Sequence, residues 1–162
     1  MFARSALVCP AHVIGVVCHE NDVLVVERFD RPAGGGKRII VSTLTMLGLD
    51  EMEGRYATYP DLLDVLRRTG MDPSIGRRLF QRIAFNIAVG NNDDHARNHA
   101  AFWDGHSLDL TPAYDLCPQI RSGETSAQTI AFDRDGARDI RCMRDRGPDI
   151  RTDHHGSPRN NR

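Results

Sequence analysis

An apolar stripe that stops at a polar ten-residue run is the tightest constraint on this chain. Ile75, Leu79, Phe80, Ile83, Ala84, Ile87 and Ala88 recur at near-multiples of 3.6 residues, so one face of a helix must meet a core. Asp72 can cap that helix, Pro73 suits its first turn, and Gly90 ends it. A shorter helix precedes it. Pro60 takes its first position, Asp61 favours the positive end of its dipole, and Gly70 closes it. Behind Gly90 the chain reads GNNDDHARNH, residues 90–99. Ala100 to Trp103 and Ser107 to Leu110 then flank Asp104-Gly105, a strong hairpin turn. The polar run would be wasteful as packing, because each buried polar group needs a partner. Loops held between rigid elements are where chemistry tends to lie.

The front of the chain has two Val-rich runs, His12 to Cys18 and Asp22 to Glu27, around His19-Glu20-Asn21. They predict an antiparallel hairpin with at least one strand buried on both faces. Gly34-Gly35-Gly36-Lys37 is not a Walker loop: Arg31 stands where the first glycine should be, and Arg38 follows the lysine. It reads as a surface loop. With 162 residues, 21 basic and 22 acidic side chains and a net charge of -1, the chain has one domain's length and lacks the bulk charge of a nucleic-acid binder. No apolar run is long enough to span a membrane. Lys37 is the sole lysine. Cys9, Cys18, Cys117 and Cys142 form no C-x-x-C pair and read as reduced thiols. Pro10 and His12 interrupt the leading apolar stretch, which argues against a signal peptide and for a cytoplasmic location. After about Ser122 the chain is dense in Arg and Asp and has no period. Residues 1–121 are therefore expected to form the domain, and 122–162 a largely disordered tail.

Asp93 and Asn98 are five apart, the separation in the H-R-D-x-x-x-x-N loop of protein kinases. There the Asp accepts the substrate hydroxyl proton and the Asn carbonyl holds magnesium. A hairpin then returns the chain to a second acidic ligand, and Asp115 falls in that place. Magnesium wants hard oxygen ligands, few of them from protein. Two rival readings exist. His95 and His99 are four apart, as in the zinc motif H-E-x-x-H, though Ala96 replaces the needed glutamate. Asn and Asp also favour plain turns and caps. Arg77, Arg78 and Arg82 read as a solvated face.

VLVVERFDR at 23–31, FNIAVGNNDDHARNH at 85–99 and LTPAYDL at 110–116 together resemble the catalytic part of HipA-like serine/threonine kinases. Those are the toxin half of bacterial toxin–antitoxin pairs. The resemblance covers roughly residues 8–121. It implies an α+β, protein-kinase-like fold, mostly the helical C-terminal lobe with a hinge hairpin, the N-terminal lobe being largely missing. It implies Asp93 as catalytic base, His95 beside the transferred phosphate, and Asn98 and Asp115 on Mg2+. Glu27, Arg28 and Phe29 would be the hinge that meets the adenine of ATP, Glu27 through its backbone and Phe29 through a flat apolar face. The implied activity moves the ATP γ-phosphate to a hydroxyl of a protein substrate. The implied partner is a HipB-like DNA-binding antitoxin; the chain itself is expected to bind neither nucleic acid nor membrane. There are two departures. The ATP-binding lysine and glycine-rich loop expected ahead of the strand at 12–18 are absent, Lys37 lying after the hinge. The Arg/Asp-rich tail stands where further helices are expected. A truncated kinase is therefore expected. The alternative is a catalytically dead remnant that only binds, or has no role.

Overall fold

Gly90 does end a long helix. A computed structural model describes residues 13–18, 21–120 and 129–134. Strands β1 (Val13–Cys18) and β2 (Asn21–Val26) form the expected antiparallel hairpin, Val13 opposite Val26. Strand β3 (Ile39–Ser42) leads into the short helix α1 (Thr43–Leu47), a 3-10 turn (Glu53–Tyr56), and helices α2 (Tyr59–Thr69) and α3 (Ile75–Val89). Strands β4 (Ala100–Trp103) and β5 (Leu108–Leu110) complete an antiparallel sheet of order β3-β4-β5. Helices and antiparallel strands mix, so the fold is α+β. Among the described residues no helix is long and apolar enough to cross a membrane.

Helix α2 begins as its sequence demands. The Thr58 hydroxyl accepts from the Asp61 N–H at 3.2 Å, and Pro60 sits in the first turn. Its inward face is Tyr59, Leu62, Leu63 and Leu66. Helix α3 begins later than Asp72. That carboxylate instead accepts from the backbone N–H and hydroxyl of Ser74, at 2.8 and 2.7 Å, and from Arg78 Nη1 at 2.8 Å. It organises the approach as an Asx turn and does not cap the helix. The Arg78 bond, then the Ser74 bonds, hold its carboxyl down at about 2. Gly90 closes α3 at φ 71°, where a side chain would be strained.

Two expectations about exposure are corrected. Ile75, Leu79, Ile83 and Ile87 face the core, but Phe80 and Ala88 are exposed. Arg82 and Asn86 take inward places, lying three and seven residues after Leu79 on the same face. Arg82 is 4% exposed and not solvated. It donates through Nη2 to the Thr111 carbonyl. Burial draws its guanidinium down to about 10. Arg78 spans from α3 to β5, donating to Asp109 at 2.6 Å and to the Leu110 carbonyl at 2.7 Å. In β2, Val25 and Val26 are neighbours on opposite faces and are 44% and 46% exposed. That end of the strand is not buried on both sides.

The core joins α2, α3, β4 and β5 to residues assigned above to the tail. Ile130, Ala131 and Phe132 are buried. The Tyr59 N–H donates to the Ala131 carbonyl at 3.0 Å, and the Phe132 ring stacks on Tyr59 with centroids 5.8 Å apart. Residues 129–134 therefore pack with the domain. Three apolar side chains in a row outweigh the charged composition around them. The other residues of 122–162, His154 and His155 included, lie outside the described ones. The glycine loop is a surface loop as expected, closed by Arg38 N–H on the Asp30 carbonyl at 2.9 Å.

Gly70 lies where α2 meets β5. A Cβ there would sit 2.5 Å from the Leu66 carbonyl oxygen and 2.9 Å from that of Leu108. Gly70→Ala is expected to cost about 1–3 kcal/mol, because both obstacles are backbone. A urea-unfolding midpoint equal to wild type would contradict this close approach.

Candidate functional site

The polar run folds on itself. The Asp93 carbonyl accepts from the His95 N–H at 3.1 Å and from Asn98 Nδ2 at 2.8 Å. The Asn98 N–H donates to the His95 carbonyl at 2.8 Å. These bonds wind residues 93–98 into one turn and bring together three of the residues singled out above. Asn98 is buried, with its amide nitrogen committed to Asp93, which leaves its amide oxygen as an acceptor. The Asp93 carboxylate faces solvent, its side chain 66% exposed, 3.4 Å from His95 Nε2.

Two buried threonines fix where this turn enters the sheet. Thr43 gives both its N–H and its hydroxyl to the His99 carbonyl, at 2.9 and 3.1 Å. Thr111 gives both to the Ala100 carbonyl, each at 3.0 Å. The chain then runs to Tyr114, whose hydroxyl donates to the Arg97 carbonyl at 2.5 Å. Asp115 follows at φ 52°, the only non-glycine residue with positive φ among those described. Its carboxylate is exposed and has no hydrogen-bond or ion-pair partner among them.

The Phe29 ring reaches this segment. Its centroid lies 5.8 Å from that of Tyr114 and 5.9 Å from that of Phe102. Beside it Glu27 is exposed, and Arg28 is engaged by Asp30 through Nε at 2.8 Å and Nη2 at 2.6 Å. The Arg28 bond holds the Asp30 carboxyl down at about 2. Of the hinge residues, Phe29 therefore touches the Asp115 segment, while the Arg28 guanidinium serves its own turn.

Under the turn lies a buried anion that the sequence analysis did not single out. Asp94 accepts from His99 Nε2 at 2.5 Å, from the Tyr59 hydroxyl and from the Asn86 side chain. Burial pushes its carboxyl up; His99, Tyr59 and Asn86 outweigh that and hold it below its ordinary value. Burial, then the neighbouring Asp94 charge, drives the Tyr59 hydroxyl well up, so it stays a donor. His99 is 0% exposed and belongs to this network. The zinc pairing of His95 with His99 is thereby corrected: the His95 ring is half-buried beside Asp93, and the His99 ring is committed to Asp94. No group of three or more His, Cys, Asp or Glu that could hold a metal occurs among the described residues. The residues expected to hold magnesium are of another kind, the exposed carboxylate of Asp115 and the amide oxygen of Asn98, both hard oxygens of the sort that ion takes.

The profile of the HipA-like C-terminal domain family matches residues 2–155. The chain belongs to that family. It is similar to the Sinorhizobium fredii protein named "Putative kinase Y4mE", 34% identical over 107 residues, 60% of this chain and 25% of the relative. Its fold is similar to a chain in the solved complex of Shewanella oneidensis MR-1 HipA, HipB and operator DNA. That match has a TM-score of 0.61 and 25% identity over 78% of this chain and 35% of the other. This HipA-like chain thus spans about a quarter of the curated relative and about a third of the solved chain.

Replacing Asp94 by Asn keeps the shape and removes the charge. Asp94→Asn is expected to lose about 2–4 kcal/mol of stability at pH 7, since His99 and Tyr59 lose their anion. The wild-type contribution is present above the unfolded carboxylate value of about 3.9 and is lost as pH falls through the lower folded value. Thermal melts below about pH 4 should therefore fall more steeply for wild type than for Asp94→Asn. Superimposable acid limbs would show that Asp94 is not the group responsible.

Proposed function

We propose that this chain carries the catalytic loop of a HipA-type serine/threonine kinase, in its helical lobe, and transfers the γ-phosphate of ATP to a hydroxyl of a protein substrate. The observation that carries this reading is the split between neighbouring aspartates. Asp94 is buried and fully partnered, while Asp93 is presented to solvent beside His95 and Asn98. A carboxylate on a rigid turn is what a hydroxyl proton acceptor requires. The incoming hydroxyl oxygen bonds the γ-phosphorus as the bond to the β–γ bridging oxygen breaks. The hydroxyl proton passes to Asp93, and ADP leaves. Asn98 and Asp115 would hold Mg2+, which when bound neutralises charge on the phosphates. His95 stands beside Asp93 where the transferred group passes. The segment that follows β2, Glu27 to Phe29, is the hinge for adenine, with Phe29 supplying an apolar face.

The kinase in the relative's name and the HipB and operator DNA in the solved complex support the family side of this reading. A HipB-like DNA-binding antitoxin is the proposed partner, and the cytoplasm the proposed location. A second reading, binding without transfer, is favoured by Lys37. It is the sole lysine and is exposed on the loop between β2 and β3.

Millimolar Mg-ATP is expected to raise the melting temperature of the chain, and labelled γ-phosphate to appear on protein Ser or Thr. Asp93→Asn should lower transfer at least about a hundredfold while keeping the thermal shift. Asp115→Ala should remove the magnesium dependence of that shift. Absence of any shift in wild type would defeat the proposal, and a shift without transfer would favour the second reading.

A further inference from the structure

Tyr114 touches three separate parts of the candidate site at once. Its hydroxyl donates to the Arg97 carbonyl at 2.5 Å. The peptide unit between Arg97 and Asn98 is thereby held at both ends, because the Asn98 N–H on its other side donates to the His95 carbonyl at 2.8 Å. A planar peptide held at its C=O and its N–H cannot rotate, so the direction in which Asn98 leaves the backbone is set. The ring of Tyr114 rests against Phe29, with centroids 5.8 Å apart. The residue after it is Asp115, at φ 52°. An L residue in that region is strained, and it stays there only when its surroundings over-determine it. A neighbour anchored by both its ring and its hydroxyl supplies that determination.

We propose that Tyr114 is the positioning residue that sets the spacing of Asn98 and Asp115, and through it the affinity of the site for a divalent cation. This rests on the reading above, in which those two residues hold the cation. No direct contact of Tyr114 with cation or substrate is involved. Its hydroxyl acts as a strut between the turn at 93–98 and the segment 111–115. A neutral phenol donates through its hydroxyl, and a backbone carbonyl can only accept, so the direction of this bond is fixed. The Arg97 side chain does a different job, pairing with Glu51 at the surface.

The test measures Mn2+ binding to the full chain by electron paramagnetic resonance in the presence of ATP, with ATP affinity in chelator and ligand-free melting measured alongside. Tyr114→Phe keeps the ring and its Phe29 contact but removes the hydrogen bond. It is expected to weaken Mn2+ binding about five- to tenfold, with metal-free ATP affinity within about twofold of wild type. Arg97→Ala leaves the carbonyl in place and is expected to hold Mn2+ within about twofold of wild type. Wild-type Mn2+ binding together with an unchanged Tyr114→Phe overturns this inference alone. An equal loss in Arg97→Ala also overturns it, since general loosening of the loop would then suffice. Failure of wild type to bind Mn2+ with ATP overturns the underlying reading as well.

Discussion

The carboxylate of Asp94, buried and accepting from His99, Tyr59 and Asn86, is the interaction on which the rest of the arrangement depends. It joins three elements: α2 through Tyr59, α3 through Asn86, and the start of β4 through His99. A charge taken out of water is tolerable only when its lone pairs are met by donors. Arg82, also buried on α3, adds a favourable charge from the same side. The backbone on either side of Asp94 has little freedom once these donors are in place. Its carbonyl receives the Ile130 N–H at 3.2 Å, which draws 129–134 into the same structure. Asp93 is consequently turned outward by what Asp94 does inward.

Rigidity on the buried side and exposure on the other are two consequences of one local sequence. The threonines reinforce this. Thr43 and Thr111 each place two donors on one carbonyl, at His99 and Ala100 in succession, so the strand entering the sheet cannot slip. Catalytic and binding constellations need such support, since a displacement of an ångström degrades positioning. The turn at 93–98 is thus held from below by a buried ion and from behind by the sheet.

The local chemistry of this fold was legible in the sequence. Gly90, Pro60 and Asp104-Gly105 act at the positions their backbone preferences require, Gly70 closes α2 where no Cβ fits, and the period of α3 predicts its aliphatic face. Long-range partners were not legible. Strand β3 is four residues long, and its partner β4 lies beyond three helices, so no local signal announces it. Arg82 falls on the buried face by period, but its charge argues for solvent; only the Thr111 carbonyl and Asp94 explain its burial. Ile130 to Phe132 were masked by the charged residues around them. The two aspartates at 93 and 94 are chemically identical in the sequence. Which of them is presented is decided by Tyr59, far back along the chain, and by the side of the turn on which His99 emerges.

The same logic explains why the Asp115 side chain is left exposed on a well-held frame. Elsewhere among the described residues this chain pairs its charges readily: Asp30 with Arg28 and Arg31, Asp72 and Asp109 with Arg78, Asp61 and Asp64 with Arg134. Arginine is abundant, so a partner for Asp115 would be easy to supply. Asp115 instead keeps an unfavourable φ and has no partner among the described residues, while its neighbour Tyr114 is fastened to the loop that carries Asn98. Backbone strain lowers stability, and a fold that retains it at one point forgoes stability there. On the proposed reading that deficit is offset when a divalent cation and the phosphates it accompanies are bound. The coupling runs through Tyr114 to Phe29, so the surface proposed to meet adenine and the carboxylate proposed to meet the cation share one anchored ring.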